Sequence, residues 1–305
     1  MSISDHTAPH SIEIRVPATS GNVGPGFDCL GVALTLYNSF RFTLADEVLI
    51  SAEGVGAERI AKNRHNLAYQ SFERCWQYLQ QPPMPVAIHI NTQVPPSRGL
   101  GSSATAIAGG VYAANALAGS PLSPKELVAI ATQIEGHPDN VAPALLGGCR
   151  LIAGQEICEV VWHDSLAVVV VIPEFELSTA KARQVLPAQI SMADAIFNCA
   201  HLGLLTQALA TGNGAWLREA LQDKLHQPYR TPLIPAYLSV RTAALQAGAY
   251  GLVISGAGPT LLAIAPKELT TTVGEAMQNA WQVQGINCQW QSLGIDRQGT
   301  QSLLI

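Results

Sequence analysis

Charge is scarce in this chain. Only 13% of its 305 residues are Asp, Glu, Lys or Arg, against roughly 25% in soluble proteins generally. A surface so thin in charge points to extra buried area such as a subunit interface, although abundant alanine lowers the fraction too. Basic excess is also lacking: the net charge is −5, where a nucleic-acid binder would carry a basic patch. The six cysteines, Cys29, Cys75, Cys149, Cys158, Cys199 and Cys288, form no Cys-x-x-Cys pair. They read as small buried hydrophobes in a reducing compartment, which makes the cytoplasm the expected address. Residues 1–10 have no apolar stretch of the signal-peptide kind. The longest apolar run, residues 166–172, is far too short to span a membrane and reads as a buried strand. No repeat, long linker or low-complexity tract breaks the chain, whose length allows a sizeable core and about two domains.

What is present stands out most between residues 95 and 104, Pro-Pro-Ser-Arg-Gly-Leu-Gly-Ser-Ser-Ala. Residues 86–90 alternate like a strand before it, and an alanine-rich helical run follows from 104 to about 117. The first N–H groups of a helix have no partner within it, and the aligned peptide dipoles favour an anion there. Gly99 and Gly101 have no Cβ, so a phosphate chain can lie against the backbone. Ser102 and Ser103 add hydroxyls, one of which is able to reach a metal ion. The loop is therefore expected to hold phosphates. No lysine lies between Pro95 and Ala118, which excludes the common P-loop, and the glycine spacing excludes a dinucleotide fingerprint. The competing interpretation is a glycine turn before an ordinary core helix.

The remaining pattern is one of mixed elements. Strands are expected at 12–16, 32–44 and 48–52, then a helix over about 67–79. Ser123-Pro124-Lys125-Glu126 is a capping box that starts a helix running to about 135, ended by Gly136-His137-Pro138. Asp139 is placed to cap a short helix stopped by Gly147-Gly148. In the second half a strand at 166–172 precedes helices near 179–185, 192–210, 216–221 and 235–247. Paired strands around 251–255 and 260–265, a helix over 268–283 and a last strand near 287–293 complete it. Strands bracketing helices in this way give an α+β class with helices on one sheet face.

The loop resembles the second motif of the galactokinase, homoserine kinase, mevalonate kinase and phosphomevalonate kinase (GHMP) family. Residues 15–28, Arg-Val-Pro-Ala-Thr-Ser-Gly-Asn-Val-Gly-Pro-Gly-Phe-Asp, resemble the first motif, and residues 255–260, Ser-Gly-Ala-Gly-Pro-Thr, the third. Residues 135–148, Glu-Gly-His-Pro-Asp-Asn-Val-Ala-Pro-Ala-Leu-Leu-Gly-Gly, are similar to the branch of the family that acts on homoserine, as is the first motif. The four motifs stand in family order over most of the chain. Gly21 occupies a place where alanine is common, as does Thr105. Neither change removes a functional side chain.

This resemblance implies a two-domain kinase: residues 1–160 as a ribosomal-protein-like domain and 161–305 as a ferredoxin-like one, with the active site between them. It implies ATP and L-homoserine as substrates, Mg²⁺ as the metal, and O-phospho-L-homoserine on the route to threonine as product. A homodimer follows from the family and the low charge, with no nucleic-acid or membrane partner. The residues implied for ATP are Asn66 near the adenine and Pro95, Pro96, Ser97, Arg98, Gly99, Leu100, Gly101, Ser102, Ser103, Ala104 and Thr105. Arg98, the helix dipole and the metal would meet the phosphate charge, with Ser103 and Glu135 as metal ligands. Asp139 is the implied catalytic residue, as proton acceptor or as orienting charge. For homoserine the implied set is Asn22, Asp28, His137, Thr179, Arg183, Arg230, Gly256 and Gly258. The two arginines take the carboxylate, and Asp28 with Asn22 takes the ammonium. From the residues alone, Asn66 reads equally well as the N-cap of its helix, and Arg183 and Arg230 as two surface arginines.

Overall fold

The computed structural model describes residues 10–82 and 84–303. The reading of the N-terminus thus falls almost wholly outside the described residues. The first half contains β1 (Ser11–Gly21), β2 (Leu30–Leu44), β3 (Leu49–Gly54), α1 (Leu67–Tyr78), β4 (Val86–Thr92), α2 (Ser102–Leu117), α3 (Pro124–Glu135), α4 (Pro138–Leu146), β5 (Cys149–Ala153) and β6 (Glu156–Val160). The second contains β7 (Leu166–Pro173), α5 (Thr179–Gln184), α6 (Met192–Thr211), α7 (Gly214–Ala220), α8 (Gln227–Arg230), α9 (Tyr237–Gln246), β8 (Gly251–Ile254), β9 (Leu261–Pro266), α10 (Thr270–Gln282), β10 (Cys288–Leu293) and β11 (Gln301–Leu303).

Two sheets organise these elements into the α+β class. In the first the order is β11-β1-β2-β4-β3, with β5 on the early part of β2 and β6 on β5; only β3 and β4 run parallel. Where β1 meets Pro17 the register with β2 slips, so that Ala18 faces Leu34 while Pro17 faces Tyr37. A proline has no N–H to give a ladder, and a bulge is the usual accommodation. The second sheet has the order β10-β7-β9-β8, all antiparallel. That order, with α9 and α10 packed on one face, is the ferredoxin-like arrangement.

Three clusters of apolar side chains hold the layers together. Ile14, Phe40 and Ile88 of the first sheet pack with Phe72, Trp76 and Ile107 of the helices. Phe72 stacks between Phe42 and Trp76, at ring separations of 5.5 and 5.4 Å. β7 is buried on both faces, because Val168 and Val170 enter one cluster and Val169 and Val171 another. Alternate residues of a strand point to opposite faces, so a continuous valine run suits a strand sandwiched between layers. Val168 and Val170 meet Leu30, Val94 and Leu100 from the first half, so one core joins the halves beneath the phosphate loop.

The structure departs from the expected elements in four places, one of them the short helix α8 at Gln227–Arg230, which was not expected. β5 and β6 form a hairpin through Gly154 (φ +63°) that was not expected. β11 returns from the C-terminus to pair with β1, placing the last described residues on the first sheet. Asp139 is not the cap of α4: His137 occupies the N-cap and Pro138 the first helical position, where a missing N–H costs nothing.

Candidate active site

Five successive carbonyl oxygens hold the loop at residues 97–101 to the protein. Ser97 O accepts from Leu177 N, Arg98 O from Thr260 N, Leu100 O from Thr19 N and Gly101 O from Thr105 N. Gly99 O accepts from the Ser255 hydroxyl at 2.7 Å. These bonds spend oxygens and leave loop N–H groups for a ligand. Ser97, Gly99 and Gly101 all have positive φ, at 56, 78 and 69°, the alternation that turns backbone N–H groups into an anion nest. Gly101 is the N-cap of α2 and no side chain caps that helix. A Cβ on Gly99 would overlap Ser255 O and Gly258 O, and one on Gly101 would overlap the Thr19 hydroxyl. Glycine is thus required at both positions by the way the first and third motifs press against the loop.

A cleft of about 310 Å³ opens in front of it. Of the expected phosphate-loop residues, Pro96, Ser97, Gly99, Gly101, Ser102 and Ser103 line it. Leu100, Ala104 and Thr105 are fully buried behind them. The Thr105 hydroxyl donates to Ser102 O and accepts from Asn38, so it belongs to the scaffold. Pro95 does not line the cleft either.

One expectation for this half needs correction, and one is decided in favour of its plainer alternative. The Arg98 guanidinium points away from the cleft, donating to the carbonyls of Pro96, Pro173 and Glu174 and pairing with Glu176 at 3.2 Å. Glu176 also pairs with Arg59. Arg98 therefore straps the loop to the end of β7. Asn66 is the N-cap of α1, with Oδ1 accepting from Ala68 N and Tyr69 N and its amide donating to Ala61 O. That cap is its observed role, and it lies outside the cleft lining.

Ser103 and Glu135 do come together: Ser103 Oγ donates to Glu135 Oε1 at 2.7 Å, and both line the cleft beside the loop. Two hard oxygens at the edge of a phosphate nest fit the donor preference of Mg²⁺. A second group within ligating distance of one another is Asp28, His137 and Asp139. Its donors are already engaged by Arg183 and by each other, which makes it the poorer cation site.

Asp139 is completely buried. Its Oδ1 lies 2.6 Å from His137 Nδ1 and its Oδ2 accepts from Asn140 at 3.2 Å. His137 and Asn140 line the cleft; Asp139 stands behind them. Burial works against a charged His137, but the bond to Asp139 and the charges of Asp139 and Glu135 outweigh it and raise its pKa. Thr19 secures Asn140 by donating to its Oδ1 at 2.9 Å. A Cβ on Gly21 would overlap both the Asp139 carboxylate and the Asn140 amide. The glycine that looked neutral in the sequence is what makes room for this pair.

Asn22, Thr179, Arg183 and Arg230 also line the cleft, together with Gly256 and Gly258 of the third motif, which lie against the loop itself. Asp28 lines the neighbouring larger hollow instead, and Arg183 links it to this cleft by gripping its carboxylate with two Nη atoms at 2.6 and 3.0 Å. That grip, ahead of a smaller opposing effect of burial, raises the Arg183 pKa. Asn22 Oδ1 accepts from Asp28 N, holding the turn that carries the carboxylate. Arg230 is a buried residue, not a surface one, at 1% exposure. Its Nε donates to Ala182 O and its Nη1 to Gly256 O, with His226 Nδ1 also 3.2 Å from Nη1. Among the described residues it forms no ion pair and its Nη2 has no partner. Burial first, and Arg183 second, lower its pKa to about 10, so it is cationic at neutral pH.

Sequence reasoning missed Asn140, Thr19, Phe27, His226 and Ser255. Asn140, Thr19, Phe27 and Ser255 all lie within the quoted motifs, whereas His226 carried no local signal. A larger hollow, about 670 Å³, lies over α3 and the β5–β6 hairpin, but it offers no phosphate nest and is mostly apolar.

Comparison with known proteins gives a consistent picture. Residues 66–148 match the model of the GHMP kinases N terminal domain, and residues 205–283 that of the GHMP kinases C terminal. The chain is 56% identical over 295 residues to the homoserine kinase of Trichormus variabilis, covering 95% of this chain and 98% of that one. It is 57% identical over 295 residues to that of Nostoc sp., with the same coverage of both. The crystal structure of homoserine kinase from Cytophaga hutchinsonii superposes with a TM-score of 0.89 at 29% identity, covering 99% of this chain and all of the other.

Proposed function

Because the chain belongs to the GHMP kinase family, with homoserine kinases among its relatives, we propose that it phosphorylates L-homoserine with ATP. The γ-phosphoryl group passes to the side-chain hydroxyl, giving O-phospho-L-homoserine on the route to threonine, and ADP. The observation that carries this reading is that one cleft joins the uncapped start of α2 to a buried arginine with an unpartnered edge.

Phosphoryl transfer is mostly positioning and charge stabilisation. The loop N–H groups and the α2 dipole hold the phosphates. Ser103 and Glu135 would hold Mg²⁺, which when bound offsets charge on the phosphate oxygens. In the transfer, the acceptor oxygen bonds to the γ-phosphorus as the bond to the ADP oxygen breaks, and the hydroxyl proton is released to water. His137 stands between Asp139 and the cleft, so the Asp139 charge acts on that hydroxyl through the imidazole, while Asn140 steadies the carboxylate.

The acceptor's charges match the other wall. A buried guanidinium lacking a counter-ion is costly, and a substrate carboxylate supplies one at the unpartnered Nη2, as a charge-assisted hydrogen bond. Arg183 and Asp28 hold each other, so a zwitterion is the class of ligand able to part them with each charge paired again. Homoserine is such a ligand and mevalonate, which has no amine, is not. Homodimeric assembly and a cytoplasmic location complete the proposal; low charge and six free cysteines support them. Among the described residues no helix is long and apolar enough to cross a membrane.

The test is ADP release with ATP and Mg²⁺ on L-homoserine, mevalonate, L-serine or no acceptor. Release on homoserine alone is expected, with kcat in Asp139→Asn lower by about 100-fold or more and an unchanged circular-dichroism spectrum. Turnover only on mevalonate, or an unaltered kcat in the variant, contradicts the reading.

A further inference from the structure

His226 is fully buried, and nothing in the proposed chemistry uses it. It stands one residue before α8 and four before Arg230, a spacing that brings two side chains together over one turn. Its Nε2 lies 2.8 Å from Gly24 O, an atom that only accepts. Its Nδ1 lies 3.2 Å from Arg230 Nη1, which only donates. The two partners together assign the neutral imidazole with the proton on Nε2. Asp223 approaches within 3.5 Å, but its oxygens are engaged by the backbone N–H groups of Leu225, His226 and Gln227 and by Asn198. It clamps the turn that carries His226. Phe27, from the loop after β1, stacks on the imidazole at 5.3 Å and lies 5.1 Å below the Arg230 guanidinium.

Arg230 is thus held on three sides: by Ala182 O, by Gly256 O with His226, and by the Phe27 ring. The free direction is that of Nη2. Building on the reading of the cleft as a homoserine site, we infer that His226 is the positioning residue for Arg230, and that its unprotonated Nδ1 aims the Nη2 edge at the substrate carboxylate. Protonation would set two cations in contact. Burial, the largest influence, opposes it by lowering the His226 pKa; Arg230 acts the same way, against Asp223 and Asp28. The role is specific to carboxylate recognition. The imidazole touches neither the loop nor the His137–Asp139 pair.

The experiment uses the full-length enzyme, two variants and two acceptors. His226→Asn keeps an acceptor oxygen where Nδ1 stands and loses the donor to Gly24. His226→Gln keeps that donor and loses the acceptor facing Arg230. L-Homoserine is compared with 3-aminopropan-1-ol, which retains the hydroxyl and the ammonium but has no carboxylate. The Gln variant is expected to raise KM for homoserine by about 10- to 100-fold while KM for ATP changes less than about twofold. Its preference for homoserine over the amino alcohol falls by the same factor, and the Asn variant retains most of that preference. A merely structural role would impair both acceptors and both variants alike. That outcome, or unaltered kinetics in the Gln variant, overturns the inference while wild-type turnover on homoserine stands. Failure of the wild type to use homoserine overturns the reading of the cleft and the inference together.

Discussion

The loop at residues 95–104 presents backbone N–H groups to the cleft and is held from behind by its carbonyl oxygens. The wall facing it, around Arg230, presents side chains that are themselves fixed by carbonyls, an imidazole and an aromatic ring. The first wall is made by one short segment and the open end of α2. The second is assembled from residues near 24–28, 179–183, 226–230 and 256. A backbone site depends on what cannot be there, namely a Cβ at Gly99 or Gly101. A side-chain site depends on which groups neighbour each other, and in what charge state.

One way to sharpen the comparison is to disturb the junction of the walls. Gly21→Ala places a methyl group against Asp139 and Asn140, and misplacing a reacting group by about 1 Å costs on the order of 100-fold. Steady-state kinetics should show kcat lowered by about that factor with KM for ATP nearly constant. An unchanged kcat would mean that the α4 pair is not held by the absence of this Cβ. A smaller effect is expected from Arg98→Ala, the strongest challenge to a backbone-built loop. With the donor to three carbonyl oxygens lost, stability should fall by about 1–3 kcal/mol, read by denaturant unfolding. KM for ATP should change less than about threefold if, as proposed, backbone groups and the α2 dipole hold the phosphates. A large rise in KM without loss of stability would return Arg98 to the phosphates and weaken the contrast.

The same contrast explains what could be read before the fold was known. Gly99, Gly101 and the serines after them sit within one loop, so the nest was legible as a string of residues. The α3 capping box and the valine run of β7 were legible for the same local reason. The bonds that complete the site join residues far apart: Ser20 with Ser255, Thr19 with Asn140, Gly24 with His226. No local pattern announces such pairs, and a histidine in the middle of a chain looks like any other. Gly21 misled because its value lies in a neighbour that arrives from α4. Arg98 misled because an exposed-looking polar residue in a loop can spend its bonds on carbonyls, whereas the helix cap made by Asn66 was legible from its place before α1. The β5–β6 hairpin rests on long-range pairing of β5 with β2, which its short, partly charged strands do not advertise.

The central claim is that the second wall reads the carboxylate of homoserine while the first reads phosphate. Its most direct test is the Michaelis constants of Arg230→Ala for both substrates. The account predicts a rise of about 10- to 100-fold for homoserine and less than about twofold for ATP. Equal rises for both, or none for homoserine, would contradict it.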